Sequence, residues 1–214
     1  MKHLGNTLLV SAAWLAASSA QAAWFSNSTG LADPQQTITF ESASLGSNQP
    51  VTTEFALLGV TFSTAFANPD PSENYPHITG NRLGNFRAAA GAQSGLFTAR
   101  FSSNLSQVAF ALVSAPGTST VTAWLNNTLV ESVTLPTSAT DVNNFFGFHD
   151  LVFNRLTVSV NSFDHALLID NLQTVNAVPE PASWALLLAG AVCGGRVVRR
   201  RRPAPASADG VWPG

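Results

Sequence analysis

Thr120-Val121-Thr122-Ala123-Trp124-Leu125-Asn126-Asn127-Thr128-Leu129-Val130-Glu131-Ser132-Val133-Thr134-Leu135 decides the fold. Thr120 to Leu125 and Leu129 to Leu135 are Thr- and Val-rich runs, and Asn126-Asn127 sits between them. Asparagine tolerates the positive φ that a tight hairpin turn demands, so the stretch reads strand, turn, strand.

Outward from this hairpin the pattern repeats. Thr37 to Phe40 alternates and ends on Glu41, while Val51 to Phe55 and Gly59 to Ser63 read as short strands, with Gly59 marking a turn or bulge. Leu96 to Phe101 and Val108 to Val113 alternate on a two-residue period, with Ser102-Ser103-Asn104 between them as a loop. Phe145 to Phe148, Arg155 to Val160 and Ala166 to Leu172 complete nine or ten strands, with no amphipathic helix among them. An all-β chain, an antiparallel β-sandwich of jelly-roll type, is the expectation. Asn68 to Asn74, dense in chain breakers, predicts a long polar loop running on through Pro76 and Gly80.

Both ends read as addresses. Lys2 and His3, the apolar run Leu8 to Ala17 and Ala20-Gln21-Ala22 make a signal peptide over 1–22, cut by signal peptidase after Ala22. A polar leader or edge segment follows over 23–36, then the sandwich domain over 37–177. At the other end Val178-Pro179-Glu180-Pro181 interrupts regular structure, because two prolines remove two backbone donors. Trp184 to Val198 is a short apolar helix that reaches spanning length only from Pro181, with Arg196 snorkelling. Arg199, Arg200, Arg201 and Arg202 then place the C-terminus, including the extension 203–214, on the cytoplasmic side of the inner membrane.

Motif, helix and basic cluster in that order resemble the PEP-CTERM sorting signal of exported bacterial proteins, here over 178–202. The resemblance implies transient membrane insertion, recognition of Pro179, Glu180 and Pro181 by an exosortase-type transpeptidase, and a surface or biofilm-matrix destination. Ile38 to Glu41, Gly59 to Ser63 and Leu168 to Leu172 are also similar to strands of the β-sandwich ectodomains that accompany such signals, and of carbohydrate-binding jelly rolls.

Composition removes several chemistries. Between Ala23 and Ala177 stand ten acidic residues, four arginines and no lysine. That balance gives no basic patch for nucleic acid and no lysine for Schiff-base chemistry. The single cysteine, Cys193, lies in the sorting helix, so the domain has neither a disulfide nor a thiol nucleophile.

The candidate sites are few. Glu41 and Asp170 each end an alternating run; if the first and last strands pair, the carboxylates meet. The similar jelly rolls imply a structural calcium there, and the plain alternative is that each acid bonds a neighbouring backbone amide. Asn74 and Tyr75 supply one hydrogen-bonding and one stacking group for a sugar, or simply a solvated loop. Trp124 is either core, the commoner state of a lone strand tryptophan, or a face-on sugar platform. His149-Asp150 and Asp164-His165 lack a nucleophile elbow, so no catalytic residue is assigned. The expected function is a non-catalytic surface or matrix protein associated with exopolysaccharide. A carbohydrate-binding module is the first alternative, and a hydrolase drawing on Asp70, Glu73, Asp150, Asp164 or Asp170 the second.

Overall fold

A computed structural model describes residues 23–69, 75–87 and 96–178. The signal peptide, Asp70, Glu73, Asn74 and the sorting motif with its helix and arginines (from Pro179 on) lie outside the described residues. The chain divides into two compact units, Met1–Ala177 and Val178–Gly214. Among the described residues no helix is long and apolar enough to cross a membrane.

The first unit is all-β. Its strands are β1 (Ala23–Asn27), β2 (Gln36–Ile38), β3 (Val60–Ser63), β4 (Phe66–Ala67), β5 (Leu83–Gly84), β6 (Phe97–Ser114), β7 (Gly117–Leu125), β8 (Thr128–Thr137), β9 (Phe145–His149), β10 (Phe153–Ser162) and β11 (Leu167–Asn176). They form one antiparallel sheet with the path β4-β5-β11-β6-β10-β7-β8; β3 adds to β6, β2 to β11, and β9 to β6 with β1 beyond it. The β7–β8 hairpin forms as read, with Asn126 at φ 57°.

Strand β6 organises the rest. Its first residues pair with β3 and β10, and its later ones with β11 and β9. Ser102-Ser103-Asn104, expected as a loop, is continuous strand within these 18 residues. Neighbouring chain satisfies its backbone: Ser102 N–H donates to the Gly59 carbonyl (2.9 Å) and Ala177 N–H to that of Asn104 (2.9 Å). Its polarity records exposure, not a turn.

Other boundaries differ from expectation for equally local reasons. Val51 to Phe55 is not a strand. The Glu54 carboxylate accepts the Thr52 N–H at 2.6 Å and Ala56 N–H turns back to the Thr53 carbonyl, leading into a short 3-10 turn, Ala56–Leu58, closed by Gly59 at φ 80°. The first predicted strand stops at Ile38, because Phe40 adopts φ 61° and turns a fully buried ring inward. The segment after Ala22 begins with an edge strand, β1, and the two-residue strands β4 and β5 carry too little pattern to be read from sequence.

The apolar faces of both halves of β6 share one core. Phe97 and Ala99 come from its first half, Phe110 and Leu112 from its second, and Leu156, Val158, Ile169 and Leu172 from the flanking strands. Phe40, Phe55 and Phe62 meet edge to face with centroids 5.1–6.2 Å apart, an arrangement aromatic quadrupoles favour. A second apolar cluster, including Ile78, Ala109, Phe145 and Leu168, lies under the segment that begins at Tyr75.

Candidate functional site

Glu41 and Asp170 do come together. Strand β11 pairs with β2 through Leu172 and Ile38, which brings the ends of both runs to one place. Between them passes the backbone of Thr79-Gly80-Asn81. Asp170 Oδ2 accepts the Thr79 N–H at 3.1 Å and Oδ1 the Asn171 N–H at 2.6 Å, while Glu41 Oε1 accepts the Asn81 N–H at 2.6 Å. Asn171 Nδ2 adds a bond to the His77 carbonyl (2.7 Å) and Asn144 Nδ2 one to that of Pro76 (2.6 Å). Gly80, at φ 63°, leaves space where any side chain would overlap the Glu41 carboxylate.

Asp170 is 1% exposed and Arg82 fully buried. Burial pushes the Asp170 carboxyl up to about 7; the Glu41 charge adds to this, while the two N–H donors and the Arg82 charge oppose it. Calcium fits this donor set poorly. It takes about 6–8 oxygens, whereas both Asp170 oxygens already receive backbone N–H bonds and a guanidinium charge acts on the group. No third carboxylate or histidine joins them among the described residues. The pair is a clasp for the Tyr75–Asn81 segment. The melting temperature is therefore expected to be the same in calcium as in a chelator, as a thermal scan in each will show.

Tyr75 walls an open cleft of about 400 Å³ whose other polar members are Asn68, Ser114 and Asp164, with Phe86, Leu167 and Leu168 as apolar lining. Arg82 stacks its guanidinium 5.6 Å from the Tyr75 ring centroid. Asp164 is committed to its own turn, accepting from Ser162 Oγ (2.8 Å) and the Ala166 N–H (3.1 Å). Beside it Phe163 stands 86% exposed in the connection between β10 and β11.

Trp124 is not a core residue. Strand parity turns Val121 and Ala123 inward, and Thr120, Thr122 and Trp124 outward. Register extends that outer face across five strands. One row reads Thr61, Arg100, Arg155, Trp124 and Leu129; the next reads Ser63, Thr98, Thr157, Thr122 and Ser132, of which Thr98, Thr157 and Thr122 are buried; a third holds Ser159, Thr120 and Thr134. Rows and strands repeat at roughly 7 Å and 4.8 Å. Hydroxyls pair across strands, Thr120 with Thr134 at 2.7 Å and Thr122 with Ser132 at 2.9 Å, and Trp124 Nε1 donates to Thr157 Oγ1 at 3.1 Å. Arg155 lies 4.8 Å over the indole. Sequence reasoning missed this face. The every-second-residue Thr118, Thr120 and Thr122 hinted at it, but the alignment of rows needs the register.

The chain matches no family model and no curated protein. Its chemistry must be read from the sites alone. His149 Nδ1 meets Asp150 Oδ2 at 2.6 Å on the surface, and His165 Nδ1 faces the Val160 carbonyl at 3.2 Å; among the described residues no serine hydroxyl bonds to either imidazole. Asp170 is enclosed in the clasp, and Asp164 is the one carboxylate among the described residues lining the Tyr75 cleft.

Proposed function

We propose that this chain is an exported surface or extracellular-matrix protein, a β-sandwich of jelly-roll type that associates with polysaccharide without cleaving it. Its N-terminal segment is the substrate of signal peptidase. Its tail, with Pro179-Glu180-Pro181, is the substrate of an exosortase-type transpeptidase after a transient stay in the inner membrane. The observation that supports a glycan-associating role is the Trp124 face. An outward indole beside the Ser159, Thr120 and Thr134 row, with Ser63 and Ser132 exposed at the two ends of the nearer row, offers stacking and hydrogen bonds to an extended, repetitive ligand.

Adsorption of the full-length chain to insoluble polysaccharides tests this. Trp124→Ala is expected to weaken it roughly fivefold or more, taking the about 1–3 kcal/mol that a nucleic-acid base gains by stacking on an aromatic ring as the scale for a sugar ring. Unchanged adsorption would move the site elsewhere. The cleft favours a second reading, a carbohydrate-binding module that takes a sugar against Tyr75; its volume of about 400 Å³ is in the small-ligand range. In that case Tyr75→Ala, not Trp124→Ala, abolishes binding. A hydrolase would instead release reducing ends and lose that activity with Asp164→Asn.

A further inference from the structure

Arg100 and Arg155 stand directly opposite each other on β6 and β10. Side chains so placed have Cβ atoms only about 5 Å apart, and like charges in that position repel. No carboxylate pairs with either among the described residues, and none stands in register on their face. The domain has ten acids and four arginines, so leaving these two unneutralised is not a shortage of partners. Arg155 is further underused. Its Nε is buried without a hydrogen-bond partner among the described residues, its Nη1 reaches Asn127 Oδ1 only at 3.5 Å, and its guanidinium is held in place by Trp124. Arg100 is exposed beside it.

We propose that this arginine pair is an anion site, and that the polysaccharide lying on the Trp124 face is a polyuronate whose carboxylates it grips. The inference rests on the glycan-facing reading of that surface and specifies the ligand's charge. A guanidinium fork matches a carboxylate in two hydrogen bonds, and an anion between two arginines turns their repulsion into attraction. Sugar rings then meet the indole and the exposed hydroxyls of the rows beyond it, Ser132, Thr134 and Ser159. Two arginines on an otherwise acidic domain are too few for nucleic acid, whose binding depends on neutralising many phosphates. A carboxylate on each or every second sugar suits them.

The test uses the full-length chain with oligogalacturonate and with its fully methyl-esterified form, the same sugar with its charge masked. Oligogalacturonate is expected to bind at least tenfold more tightly, and sodium chloride to erode that advantage. Arg100→Gln is expected to remove most of the advantage, so that acid and ester bind nearly alike; this side chain is exposed, so folding is not at stake. Trp124→Ala weakens both ligands. Equal binding of acid and ester overturns the inference and leaves the glycan-facing reading standing, whereas binding of neither overturns both. A dextran sulfate that binds in place of oligogalacturonate would also overturn the polyuronate assignment.

Discussion

Gly147→Ala is expected to lower stability by about 3 kcal/mol, the upper end of overpacking costs, and the melting temperature by roughly 10 °C. Gly147 sits mid-strand in β9 with β1 on one side and β6 on the other, opposite Phe25 and Ala109. A methyl group there would overlap the Val108 carbonyl oxygen and lie 3.0 Å from Ala109 Cα and 2.8 Å from Phe25 Cζ. The first two neighbours are backbone of β6, the strand shared by both halves of the sheet, and no rotamer change removes them. Gly46→Ala is the control, since its added carbon meets only Gln49 Oε1 at 3.6 Å; it should stay within about 0.5 kcal/mol. Combining Gly147→Ala with Phe25→Ala separates the causes. If the backbone is the obstacle, removing the ring rescues nothing. A melting temperature within a degree or two of wild type for Gly147→Ala alone would show that β9 can shift freely against β6, contrary to the close packing of this junction.

Gly147 also marks the limit of what the sequence discloses. Phe145-Phe146-Gly147-Phe148 was legible as a strand with buried phenylalanines, and all three rings are buried. That its glycine admits the Phe25 ring required knowing that β1 pairs with β9, a contact between residues more than a hundred positions apart. The same division runs through the sites. Glu41 and Asp170 could be matched in advance because each ends an alternating run, and neighbouring first and last strands then bring them together. What lies between them, the Thr79-Gly80-Asn81 backbone, could not be matched, because its segment has no periodicity to align. Trp124 shows the converse. Its strand was evident, but parity alone does not say which face is inward until the partners of Val121 and Ala123 are known. The row of Arg100, Arg155 and Trp124 spans three strands set by separate connections, so no local pattern contains it.

Asp170 carries the second large effect, on stability as a function of pH. Its carboxyl titrates near 7 in the folded chain and at 3.8 in an ordinary environment, chiefly because burial penalises the charge. A proton therefore binds more tightly to the folded state, and the sign follows. The stability this adds is complete below about 4, declines as pH rises through the interval to about 7, and is gone above it. The full swing is on the order of a few kcal/mol. Asp170→Asn removes the titration. Below pH 5 the variant is expected to be the less stable by roughly 1 kcal/mol, since its amide nitrogen turns a donor toward Thr79 N–H or Asn171 N–H. At pH 8, where the native chain must hold a buried charge, the order narrows or reverses. Glu41→Gln takes away the carboxylate that raises Asp170 further, and should draw the upper edge of the interval to lower pH. Urea unfolding of the three chains at pH 5 and pH 8 decides the matter. If native and Asp170→Asn chains lose equal stability between those pH values, the dependence belongs to other groups, and the clasp holds Tyr75–Asn81 without any proton being involved.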